Sequence, residues 1–237
     1  MDSFTDKHSN KFRVLFLLSS ITSFITIILV STATVYYPGG NFMFPTMEGY
    51  SFVYNSICDM SSRTAVNGQS NIVSSNLVRT AIIFFYVGML IYFSIIWMLF
   101  QKEKKTKYLS IIGSFFGIVQ IPLNLLIIFY HGSFKFHMTT LVIAPIALEF
   151  ALILYTIVFF MEKEWSQISK YSLLVLSALA IIYSLIVAIA SAIGGEFEFI
   201  VHRMGNMIFS ILIAVTFILQ GFRAYLSVKK GKNNPFK

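Results

Sequence analysis

Hydrophobic positions in this chain come in long unbroken runs, not in the alternation of a strand or the one-sided spacing of a surface helix. The runs cover Val14–Tyr37, Leu77–Phe100, Leu109–Tyr130, Met138–Met161, Tyr171–Ile193 and Met204–Leu226. At ~1.5 Å of rise per residue, ~20 apolar residues match a hydrocarbon core ~30 Å thick. Each run is therefore predicted as a membrane-crossing helix. The fold class expected is an all-α integral membrane protein, a six-transmembrane-helix bundle forming one membrane domain over residues 1–237. The first run continues past Ser31–Ala33, the one small-residue stretch resembling a cleavage site, and exceeds a signal-peptide core, so it is read as an uncleaved helix.

The polar stretches between the runs are short, with one exception at residues 38–76. A flexible linker would be rich in Gly and Ser or highly charged. Here Tyr50, Phe52, Tyr54, Ile57 and Met60 alternate with Asn55, Asp59, Arg63, Asn67, Asn71, Ser74 and Ser75. Short polar side chains that bond to backbone, set among aromatics, predict an ordered cap of Asx-type turns and short helices. Asp59 is expected to accept backbone amides or to pair with Arg63 or Arg79.

Composition and charge sharpen this. The 237 residues are 57% hydrophobic and 12% charged, with mean hydropathy +0.76. A soluble domain carries about 25% charged residues. The net charge of +8 does not point to nucleic acid, because 14 of the 18 basic residues fall on one side: in the terminal segments, the even-numbered connections and, at Arg223, the end of the sixth run. By the positive-inside rule both termini are cytoplasmic, the 38–76 cap faces outward, and the plasma (cell) membrane is the expected site. The basic KEKKTK run and KKGK tail read as topogenic charge touching anionic lipid. Membrane lipids are thus the expected partners, with no nucleic acid. Cys58, the single cysteine, excludes an internal disulfide and a Cys-based zinc site.

Polar residues inside the runs mark candidate inner faces. Gly113, Gly117, Gln120, Asn124 and His131 recur at helical spacing in the third run, with Pro122 among them. Ser177, Ala180, Ser184, Ala188 and Ser191 form a small-residue seam in the fifth. His202, Asn206, Ser210, Thr216 and Gln220 share a face of the sixth. Small residues and amides of this kind commonly hold membrane helices together. Glu149 differs, because a carboxyl at mid-membrane depth is costly unless bonded or wetted. It is expected either to bond Gln120 or Asn124 or to line a polar cavity. At the outer rim Glu48, Asp59, Arg63, His131, His137, Glu196, Glu198, His202 and Arg203 collect. Histidine with carboxylate is acid–base chemistry, with Asp59, His131 and His202 as catalytic candidates. His131, His137 and His202 lack the spacing of a metal-ligating motif, and no nucleophile elbow, phosphate loop or dinucleotide fingerprint occurs. No metal and no cofactor are expected.

The run Gly49-Tyr50-Ser51, Asn55-Ser56-Ile57-Cys58-Asp59-Met60, Arg63-Thr64, Asn67-Gly68, Asn71 and Ser74-Ser75 resembles the signature of a family of uncharacterised prokaryotic six-helix membrane proteins. That family is similar to the eukaryotic DRAM/Frag/Sfk group. Cys58 stands where Ser is usual, and Met60-Ser61 replaces Leu-Gly. The wider group is associated with lipid-anchor remodelling, lysosomal membranes and plasma-membrane lipid organisation, so the resemblance implies a lipid-linked role. The expectation is a lipid-interacting multi-pass protein with a polar cavity opening outward beneath the cap. Asn55, Asp59, Arg63, Gln120, Asn124, Glu149 and Asn206 are its candidate binding residues. The alternative is a lipid-modifying hydrolase or transferase using Asp59 and a rim histidine. A transporter coupled through Glu149 is disfavoured by the absence of an internal repeat.

Overall fold

The computed structural model describes residues 2–129, 134–163 and 165–229, with side chains for 10–126, 143–163 and 165–228. Among these, two isolated β-bridges apart, regular structure is helical. In chain order the helices are α1 (Asp2–Tyr36), α2 (Ile57–Ser61), α3 (Ile72–Ile95) with a 3-10 turn over Ile96–Leu99, α4 (Lys104–Phe129), α5 (Phe134–Met161), α6 (Gln167–Ile193) and α7 (Gly195–Lys229). Six of them, α1 and α3 to α7, are long and apolar enough to cross a membrane.

The helix ends differ from the apolar runs for a backbone reason. The i→i−4 ladder continues through polar residues until proline or glycine stops it. So α1 starts at Asp2 rather than Val14, α3 at Ile72 rather than Leu77, and α7 at Gly195 rather than Met204. Pro38 ends α1 by disfavouring helical backbone at Tyr37, while Gly194 separates α6 from α7.

Packing divides the chain into two compact units. One holds the described residues of Met1–Ser23, Tyr86–Ala178 and Thr216–Lys237, and the other Phe24–Phe85 and Leu179–Val215. The core of the first unit is aromatic. Phe16, Tyr92, Phe93 and Phe217 meet edge-on with centroids 5.1–6.2 Å apart. Phe100, Phe159 and Trp165 cluster at 4.5–5.5 Å. The glycines of α4 seat these rings: a Cβ on Gly117 would lie 2.4 Å from the Phe93 ring, and one on Gly113 3.0 Å from Tyr155.

Hydroxyls and one amide join helices within this unit. Ser114 Oγ donates to Phe93 O at 2.6 Å and lies 2.6 Å from the Tyr155 hydroxyl, which also reaches Ser110 O at 2.9 Å. Thr156 and Ser177 link α5 to α6 at 2.9 Å, and Gln220 Nε2 donates to Ser169 O and Ser172 Oγ, both at 2.8 Å. The expected polar stripes are buried only in part. Ser177 and Ala180 are covered while Ser184, Ala188 and Ser191 are exposed; Thr216 and Gln220 are buried while His202 and Asn206 are exposed.

Candidate functional site

The second unit contains the connection between α1 and α3, and its order comes largely from side chains standing in for backbone partners. Gly39 and Gly40 adopt positive φ of 127° and 79°, where a Cβ would fall on Met47 O and on Asn67 N respectively. Only glycine suits both demands. Asn41 Oδ1 then accepts the amides of Met43 and Phe44 at 3.0 and 2.8 Å, an Asx turn. Asn55, fully buried, accepts from Ser51 N and donates to Gly40 O at 2.8 Å. Asn67 Nδ2 donates to Pro38 O. The amide-rich pattern is therefore a set of backbone staples.

Helix α2 carries a charged pair that joins this segment to α7. Ser56 and Asp59 form a capping box, in which Ser56 Oγ accepts from Asp59 N and Asp59 Oδ2 accepts from Ser56 N at 2.8 Å. Such reciprocal caps satisfy two amides that the helix leaves unpaired. Arg203 Nη1 donates to Asp59 Oδ1 at 2.7 Å and Oδ2 at 2.8 Å, and also to Ser56 Oγ. The side chains are 26% and 12% exposed for Arg203 and Asp59. The guanidinium also lies 4.9 Å over the Phe199 ring. Asp59 thus accepts a backbone amide as expected, but its cation is Arg203, not Arg63 or Arg79. Arg79 Nε instead donates to Ser61 O at 3.0 Å.

Asn71, Ser75 and Arg79, spaced four residues apart, share one face of the α3 entry, and together they close the end of α2. Asn71 Nδ2 donates to Met60 O and Ser62 O, and Ser75 Oγ joins Arg79 on Ser61 O. The last carbonyls of a helix lack intrahelical donors, and here a neighbouring helix supplies them. Nearby, Tyr37 donates to Gly40 O at 3.0 Å, while the buried Tyr50 hydroxyl has no hydrogen-bond partner among the described residues. Burial pushes the Tyr50 phenol up to about 12, and the neighbouring Asp59 carboxylate adds to the shift.

The remaining candidates separate. Arg63, exposed, lines an open hollow of about 480 Å³ with Thr64, Gly68, Ser70, Ile72 and Asn76. His202 lies 3.4 Å from Ser191 Oγ and 3.9 Å from Glu198, and among the described residues no hydrogen bond joins Asp59 to a histidine. Asn206 is exposed and accepts from Ser210 within α7. Gln120 and Asn124 bond each other at 2.6 Å, and Gln120 also reaches Gly117 O and Met89 Sδ. Glu149 is half-buried on α5. His131 lies outside the described residues, and His137 is placed on α5 without a described side chain. Among the described residues no three His, Cys, Asp or Glu side chains gather.

Sequence reasoning placed Arg203 at the rim but did not pair it with Asp59. It also missed Ser56, although Ser-x-x-Asp is a legible capping signal. No protein-family model, curated protein or solved structure matches the chain.

Proposed function

We propose that this is a multi-pass membrane protein with both termini cytoplasmic, in which residues 38–76 form an ordered extracytoplasmic cap that receives lipid headgroups. The membrane half of the proposal is supported by six apolar helices that expose large side chains such as Leu18, Ile21, Phe24, Ile83, Phe115, Phe150 and Ile182. Such surfaces are unfavourable in water and ordinary against acyl chains. The inward bias of Lys and Arg supports the orientation.

The single observation that carries the lipid half is the hollow at Arg63. It combines a guanidinium with Thr64 and Ser70 hydroxyls and the Asn76 amide, a donor set suited to a headgroup phosphate. The similarity of this segment to the six-helix family related to the DRAM/Frag/Sfk group points the same way. The catalytic alternative draws nothing from the geometry. Both Asp59 oxygens are engaged by Arg203, and Oδ2 also by Ser56, and among the described residues no hydrogen bond joins Asp59 to a histidine.

The test is native mass spectrometry of protein released from detergent in mixed phospholipids. Wild type is expected to retain anionic phospholipid, and Arg63→Ala to lose most of that adduct while remaining folded. Equal retention by the two proteins would refute the headgroup reading.

A further inference from the structure

One part of the cap is out of keeping with a water-facing surface. Phe42 is 78% exposed, and Met43 and Phe44 beside it are 37% and 44% exposed. They are not a floppy loop, because Asn41 Oδ1 holds both following amides and Phe44 packs edge-on against Tyr54 at 5.0 Å. Phe42 leans on Phe199 of α7, with ring centroids 6.2 Å apart.

Helix lengths give the depth of this contact. The apolar α7 span, Gly195–Val228, has 34 residues. At ~1.5 Å each this is roughly 50 Å, about 20 Å more than the hydrocarbon core. With Arg223 at the inner edge, ~20 residues counted back reach Arg203, which leaves Phe199 about 6 Å further out. A headgroup layer is about 5–8 Å thick on each side. The α1 count agrees. Starting from Arg13 at its inner edge, ~20 residues reach Ala33, so Tyr36 lies about 5 Å beyond the core. Val35 and Tyr36, the last turn of α1, are 80% and 56% exposed, so α1 presents apolar surface up to that depth.

The geometry points to Phe42, Met43 and Phe44 as an interfacial anchor, a rigid apolar turn seated among the headgroups of the outer leaflet. Aromatic side chains favour this layer. The occupant is the bilayer and not a protein partner, because the turn rests on Phe199, which the α7 count puts at headgroup depth, and the α1 count puts the exposed Tyr36 at a similar depth. The inference rests on the membrane-spanning reading above.

Since Cys58 is the only cysteine, a Cys58→Ser background permits single nitroxide labels in liposome-reconstituted protein. Phe42→Cys is compared with Ile28→Cys, on an exposed site of the α1 span, and Glu48→Cys, at an exposed charged site of the connection outside the Arg63 hollow. Collision with oxygen and with a water-soluble nickel chelate is read at each site. The expected result is a depth for site 42 between the other two, with oxygen exceeding the chelate by several-fold. Chelate access equal to that of site 48 overturns the anchor, as does low access to both reagents, which would mean a protein partner covers the turn. If site 28 also reads as aqueous, the membrane reading itself fails, a result distinguishable from failure of the anchor alone.

Discussion

Removing Arg203 isolates the ion pair that ties α2 to α7. In Arg203→Ala, Asp59 keeps its two bonds to Ser56 but loses its only described cation, at a site 12% exposed. Breaking a fully buried pair costs about 3–5 kcal/mol. Arg203 is 26% exposed and water partly replaces it, which lowers the figure. With ~0.5–1 kcal/mol for the lost contact over Phe199, a total of about 2–3 kcal/mol is expected. At roughly 2–4 °C per kcal/mol for a chain of this size, the melting temperature in detergent should fall by about 5–10 °C. Asp59→Ala should cost ~1 kcal/mol more, because it also removes half of the capping box. The Asp59→Ala/Arg203→Ala double variant should then recover at least ~1 kcal/mol relative to the sum of the singles. Arg203→Lys should keep over half of the stability, since a single nitrogen makes all the contacts to Asp59 and Ser56. Additivity of the two alanine changes within ~0.5 kcal/mol would refute a coupled pair.

Tyr50→Phe removes a buried hydroxyl that has no partner among the described residues, so stability at neutral pH should be unchanged or up to ~1 kcal/mol higher in thermal melts. In wild type the unfolded phenol titrates near ~10 while the folded one holds its proton to about 12. Stability should therefore be complete below about pH 10 and fall as pH rises through about 12, and Tyr50→Phe should flatten that part of the profile. Asn71→Asp turns two donated bonds into a carboxylate facing the Met60 and Ser62 carbonyls. A loss of about 2–4 kcal/mol is expected, read as faster amide exchange confined to residues 57–71. Gly221→Ala brings a Cβ within 2.7 Å of Phe16 O, a backbone atom that cannot swing away. About 1–3 kcal/mol of destabilisation should appear as a lower melting temperature, whereas Gly113→Ala, which meets side chains alone, the Tyr155 ring at 3.0 Å and Leu154 Cβ at 3.5 Å, should cost less.

The six long apolar helices were legible because length and apolarity act locally, residue by residue. Their ends were not, since α7 runs on through Glu196, Glu198 and His202 with no glycine or proline to stop it before Gly195. Within the connection, order was legible from the mixture of amides and aromatics, but roles were not. Asn55 looked like a ligand-binding residue and proves to be a backbone staple. The partner of Asp59 was sought among Arg63 and Arg79, the nearest cations, and lies 144 residues away on α7. Nothing local marks such a partner. By contrast the four-residue spacing of Asn71, Ser75 and Arg79 was visible, and it encodes the closure of α2.

The separation of Asp59 from Arg203 also has a consequence in time. A ribosome adding ~5–20 residues per second needs roughly 7–30 s to make the 144 residues between them. Bonds within the connection and to the start of α3 span at most 29 residues and can form at once. The carboxylate therefore waits, already capping α2 but without its cation, until α7 is made. A chain cut short before α7 carries that unneutralised acid permanently. Closing the connection between α1 and α3 is in this way a report that α7 has arrived.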